Sequence, residues 1–141
     1  MARIARIGAM LAAAAIFAAA CGGGAATPSA TTTVTATLTD TGIALSESAI
    51  PAGKVTFQVV NKGTVLHSLV LLKTDLPHDK IPADAKDASK VSETGSLAAT
   101  GSFGVGETKT FTRDLAAGSY VLICNEPAHY IVGMHLGLVV K

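Results

Sequence analysis

The side chains best suited to chemistry gather near the C-terminus, in Tyr120-Val-Leu-Ile-Cys124-Asn-Glu-Pro-Ala-His129-Tyr-Ile-Val-Gly-Met134. A thiol, an imidazole and a thioether follow one another at the spacing C-x4-H-x4-M, and a second imidazole, His67, opens an apolar run far upstream. Two imidazoles and one thiolate in a trigonal arrangement, with a weak axial thioether, suit a copper ion that cycles between Cu(I) and Cu(II). Thiolate and thioether favour the softer Cu(I), and imidazole accommodates both states. Taken singly, Cys124 reads as a small buried hydrophobe, His67 as a structural histidine and Met134 as core packing. Together they make one donor set. His78, in a charged stretch, reads as a solvent histidine, and no carboxylate pair stands at catalytic spacing.

These donors need a rigid frame, and the sequence supplies one of strands. From Val34 onward the apolar pattern has period two. Val34, Ala36 and Leu38 alternate with threonines; Val55, Phe57 and Val59 alternate with Thr56, Gln58 and Val60. Leu66 to Lys73 is almost wholly apolar, as in a strand covered on both sides. Lys109 to Leu115, Ser119 to Cys124 and Leu136 to Val140 are further β-rich runs, with Gly53, Gly63, Gly106 and Gly118 as turn punctuation. The expectation is an antiparallel β-sandwich. Thr74 to Ser96 departs from the pattern, mixing Asp75, Asp79, Asp84 and Asp87 with Lys80, Lys86 and Lys90. It reads as a polar crossover between the sheets, in which the segment from Pro82 to Ser89 can hold one or two helical turns.

The N-terminus is of another kind. Arg3 and Arg6 precede an uncharged apolar stretch from Ile7 to Ala20, the pattern of an export signal and shorter than a membrane span. It ends Ala18-Ala19-Ala20-Cys21-Gly22, similar to a bacterial lipoprotein cleavage site with Cys21 as the lipidated residue. Cleavage by ordinary signal peptidase would leave Cys21 free in a secreted chain. Residues 22–33 are Gly, Ala, Ser, Thr and Pro without charge, a flexible tether behind Cys21. That leaves residues 34–141 as one domain. An unpaired thiol in an exported chain is a liability that a metal removes, which strengthens the metal reading of Cys124. The whole chain of 141 residues carries a net charge of only +1 and no basic stripe, so nothing supports nucleic-acid binding. Two cysteines cannot staple a disulfide scaffold, and the absence of Trp argues against a large aromatic pocket.

Residues 34–141 resemble a cupredoxin, a small blue copper protein of the plastocyanin and azurin superfamily. Ile50-Pro-Ala-Gly-Lys-Val-Thr-Phe-Gln-Val-Val-Asn61-Lys-Gly63 leads to His67 as the segment before the first ligand does in that family. Gly106-Glu-Thr-Lys-Thr-Phe opens a later strand, and Gly118-Ser-Tyr-Val-Leu-Ile-Cys124 delivers the thiolate. The C-x4-H-x4-M spacing is similar to that of rusticyanin and auracyanin and longer than the plastocyanin spacing. The resemblance implies a Greek-key sandwich and one type 1 copper ion on His67, Cys124, His129 and Met134. It also implies outer-shell roles for Ser68 and Asn125, and an electron port at Pro127, Ala128, Tyr130, Ile131 and Val132 around His129. Three positions depart from the family: Ala128 where many members have Gly, Ser68 where Asn is usual, and Asn125 where Ser or Thr is usual. These departures bear on backbone strain and on the bond linking the two ligand segments.

The function expected from these residues is one-electron transfer between redox proteins outside the cytoplasm, by a monomeric domain tethered to a membrane by its N-terminal lipid. Copper buffering or delivery is the alternative, although a cysteine inside a β frame suits retention of the metal. Catalysis by this chain alone is not expected, because only His78 and His135 remain for the further copper ions that copper enzymes require.

Overall fold

The computed structural model describes residues 30–141; the expected export signal and Cys21 lie outside them, as does most of the expected tether. The described residues form the strands β1 (Thr32–Thr39), β2 (Gly42–Leu45), β3 (Ala49–Ile50), β4 (Gly53–Asn61), β5 (Val70–Lys73), β6 (Ser96–Ala99), β7 (Thr108–Leu115), β8 (Gly118–Ile123) and β9 (His135–Val140). β1 starts earlier than its apolar alternation suggests. Thr32 and Thr33 pair with Val55 and Thr56, so these β-branched residues belong to the domain and not to the tether.

The strands build two sheets, one ordered β2-β1-β4-β7 and the other β3-β9-β8-β5-β6. Both are mixed. β1 runs parallel to β4, and β3 parallel to β9, which corrects the purely antiparallel expectation. Alternation tells which side chains face inward and is blind to the direction of the neighbouring strand. Between the sheets Val34, Ala36, Leu38, Val55, Phe57 and Val59 meet Leu69, Leu71, Tyr120, Leu122, Leu138 and Val140. Each valine, leucine or phenylalanine among them contributes about 1.5–3 kcal/mol by leaving water.

The segment between β5 and β6 is not a crossover between sheets, because those two strands are neighbours in one sheet. Nor does it hold a helix. The Asp84 carboxylate accepts the N–H groups of Lys86 and Asp87, and the Asp87 carboxylate accepts that of Ser89. These local bonds offer the backbone an alternative to helical pairing. The segment folds back over the outer face of the sheet, where Ile81 and Val91 pack with Val70, Leu72, Val121, Ile123 and Tyr130 in a second core. This covering explains why β5 and β8 read as continuous apolar runs instead of alternating.

Candidate metal centre

Strand parity delivers the donors to one place. Leu69 and Leu71 face the main core, and two residues earlier the same parity turns His67 inward. On the neighbouring strand Tyr120 and Leu122 face the same core, and Cys124 follows them in step. Ser68 and Asn125, one residue on from each donor, share parity with the outer layer of Val70, Leu72, Val121 and Ile123. The connection from Cys124 to β9 closes on itself: the Cys124 N–H donates to the Met134 carbonyl at 2.9 Å, and the Met134 N–H to the His129 carbonyl at 3.1 Å. His67 is fixed by reciprocal backbone bonds with Phe103, at 3.2 and 2.9 Å.

The result is a triangle of donor atoms. His67 Nδ1 lies 3.1 Å from His129 Nδ1, and the Cys124 sulfur lies 3.7 Å from the first and 3.5 Å from the second. A planar metal site with bonds of about 2.0 Å to nitrogen and 2.3 Å to sulfur has edges of roughly 3.5 and 3.7 Å. The three atoms therefore suit one ion between them. Met134 is fully buried beside them and supplies the soft thioether. His67 and Cys124 are also inaccessible, and only His129 keeps part of its surface exposed. Among the described residues this is the one group of three metal-ligating side chains within reach of each other.

Burial pushes the Cys124 thiol above its ordinary pKa, with the Ser68 N–H pulling the other way from 3.3 Å. A buried thiolate therefore needs a cation beside it, which is what a metal provides. The Ser68 hydroxyl accepts the Asn125 backbone N–H at 3.3 Å, so the two ligand segments are linked, but not through the Asn125 side chain. That amide turns outward instead: its oxygen accepts the Val91 N–H, and its nitrogen donates to the Val91 carbonyl and to Glu93. Asn125 thus ties the covering segment to the ligand strand.

Several expectations for the surrounding residues need correcting. Pro127, Ala128, Ile131 and Val132 are exposed, but Tyr130 is only 8% exposed and does not belong to a surface ring. Its hydroxyl accepts the Ile81 N–H at 2.9 Å and donates to the His78 carbonyl at 2.8 Å. His78 is not simply solvated either. Its Nδ1 lies 2.7 Å from Nδ1 of His135, whose ring packs on Tyr130. Burial and then the neighbouring His78 hold His135 below the ordinary imidazole pKa. Ala128 has φ of 65°, the left-handed backbone that glycine adopts without strain.

Two positioning residues escaped the sequence reading. Asn61 is fully buried at the end of β4; its amide donates to the carbonyls of Val65 (2.9 Å) and Phe103 (3.2 Å) and accepts the Gly63 N–H (2.9 Å). It shapes the approach to His67. A polar residue in step with inward-facing Val55, Phe57 and Val59 was the available signal. The other is Asp40, in the turn between β1 and β2, whose Oδ1 lies 3.2 Å from Nε2 of His67. The Thr64 N–H and hydroxyl, each 2.7 Å away, hold the Asp40 carboxyl below the usual carboxylate range. Nothing local marks it.

A sulfocyanin (SoxE) domain matches residues 26–141. Among solved structures, auracyanin from the photosynthetic bacterium Roseiflexus castenholzii is 27% identical, with 80% of this chain and 98% of that one covered and a TM-score of 0.54. Auracyanin B is 28% identical over 82% and 91% of the two chains, with a TM-score of 0.56. Rusticyanin from Thiobacillus ferrooxidans, at 22% identity and a TM-score of 0.62 over 79% and 77% of the chains, shares the fold. A search of curated proteins found no match. The cofactor of this fold family is a single type 1 copper ion, and the donor set described above fits it. With the family match spanning the whole sandwich, the chain belongs to the sulfocyanin family of cupredoxins.

Proposed function

We propose that this protein is an exported blue copper protein that carries single electrons between protein partners outside the cytoplasm. Copper supplies the Cu(I)/Cu(II) couple, and His67, Cys124, His129 and Met134 hold it. The observation that carries this reading is the asymmetry of the donor set: three donors are inaccessible, and His129 alone reaches the surface. Val65, Leu66, Ile131 and Val132 are large apolar side chains left exposed on the segments bearing the two histidines, Ile131 by 71%. Such a patch lets a partner approach and exclude water without holding it long. The β frame keeps the donors in one arrangement, which limits rearrangement when the charge changes. Export follows from the N-terminal pattern, and a lipid on Cys21 would keep the carrier at a membrane surface.

A visible spectrum and copper titration of the protein test this. The expected result is an intense thiolate-to-copper band that bleaches with one electron and is lost in Cys124→Ser, while the sandwich stays folded. A colourless protein that gives Cu(I) readily to a chelator would make it a delivery protein instead. Mass analysis of the mature N-terminus decides between lipidated and free Cys21.

A further inference from the structure

Asp40 and Thr41 form the two-residue turn between β1 and β2, remote in sequence from every donor. The turn nevertheless touches both ligand segments. Asp40 Oδ1 lies 3.2 Å from Nε2 of fully buried His67, and the Thr41 carbonyl lies 3.1 Å from where a Cβ on Gly133 would sit. Thr64 holds the carboxylate from the other side with its N–H on Oδ1 and its hydroxyl on Oδ2. Gly63 completes the arrangement. A Cβ there would collide with both Asp40 Oδ1 and His67 Nε2, so a side chain at 63 would wedge the pair apart.

We propose that Asp40 is the positioning residue for His67 and lowers the reduction potential of the copper site. A carboxylate only accepts hydrogen bonds, so Nε2 must carry the proton, which leaves Nδ1 bare toward Cys124 and His129. The bond fixes both the tautomer and the ring orientation. It also makes the imidazole a stronger donor and sets a negative charge one ring away from the metal. Both effects favour Cu(II) over Cu(I), because the more highly charged ion gains more. His67 is inaccessible to water, so without Asp40 its Nε2–H would be a buried donor lacking a partner.

The proposal rests on His67 being a copper ligand, and the test separates the two ideas. In the full chain, Asp40→Asn keeps the shape and the Thr64 contacts but removes the charge. Cu(II) affinity should fall about 10–100-fold, with Cu(I) affinity less affected and the blue band retained. Each tenfold difference between the two losses raises the potential by about 59 mV. Gly63→Ala should raise it in the same sense, whereas Asp114→Asn, on β7 opposite Lys54 at the far end of β4, should leave it unchanged. In the copper-free protein, nitrogen NMR should show His67 protonated at Nε2, and a mixture of tautomers in Asp40→Ala, which removes the acceptor. An unchanged potential in Asp40→Asn and an unchanged tautomer in Asp40→Ala would overturn the proposal while leaving the copper site intact. If the unaltered protein shows no blue band, the ligand assignment fails instead, and the copper-free tautomer measurement alone decides whether Asp40 positions His67.

Discussion

Ala128 precedes the exposed histidine donor with φ of 65°, the one described residue other than glycine in the left-handed region. A Cβ in that conformation costs about 1–2 kcal/mol. The strain is held by flanking bonds: the Ala128 N–H donates to the Ser89 carbonyl at 2.7 Å, and its carbonyl accepts the Val132 N–H. Ala128→Gly should therefore raise the stability of the copper-free protein by about 1 kcal/mol in chemical denaturation, with the visible band unmoved. A loss of stability would show that the unfolded-state entropy of glycine outweighs the relief of strain. The neighbours Met134 and His135 offer a second contrast. Met134 is fully buried and faces the main core, whereas His135 faces the outer layer with Tyr130 and His78. Met134→Leu keeps the apolar volume and removes a donor, so the protein should keep copper at a shifted potential. His135→Ala should leave spectrum and potential unchanged. The reverse pattern would move the axial role to His135.

The segment between β5 and β6 carries no donor, yet it holds the ligand strand from outside. Asn125 grips it at Val91, Ser89 accepts the Ala128 N–H, and the Tyr130 hydroxyl grips it at His78 and Ile81. Each of these bonds joins the covering layer to a residue within or next to the C-x4-H-x4-M loop. Tyr130→Phe removes one hydroxyl and leaves two backbone groups without a partner, a loss of roughly 1–3 kcal/mol. Hydrogen exchange should then accelerate at the Ile81 amide and along this segment, while the β1–β4 ladder stays protected. Uniform acceleration across both sheets would mean that the covering layer and the main sandwich unfold as one unit.

For the molecule as a whole, the metal centre lies where the ends of several strands meet, beyond an apolar sandwich that does not depend on it. The inaccessible side chains from Val34 to Val140 bury themselves without a metal between them, so copper removal should leave the fold and lower the melting temperature only by linkage. The docking surface proposed above consists of the exposed apolar residues Val65, Leu66, Ile131 and Val132. Ile131→Lys places a like charge on both molecules of a self-exchanging pair and keeps each donor in place. Electron self-exchange should slow, more at low ionic strength, with little change in the spectrum. Unchanged self-exchange there, with a fall when Asp79, Asp84 and Asp87 are neutralised, would put the docking surface at the charged segment.

The donor set was legible in the sequence because its members are local or in step with a strand. Cys124, His129 and Met134 share one loop, and His67 continues the inward parity of Leu69 and Leu71. The sandwich was legible for the same reason, since alternation records which face of each strand leaves water. Alternation does not record the neighbour. The parallel pairings of β1 with β4 and β3 with β9, and the covering of the second sheet by residues 74–95, depend on contacts between distant segments. Tyr130 looked like part of a surface ring until the covering layer supplied its partners. Asp40, 24 residues before Thr64 and 27 before His67, looks in sequence like any turn aspartate. Only the folding of the β1–β2 turn against the loop after β4 gives its charge something to act on. A residue's type and its parity are properties of the chain, whereas the partner of a charge or a hydroxyl is decided when separate elements pack.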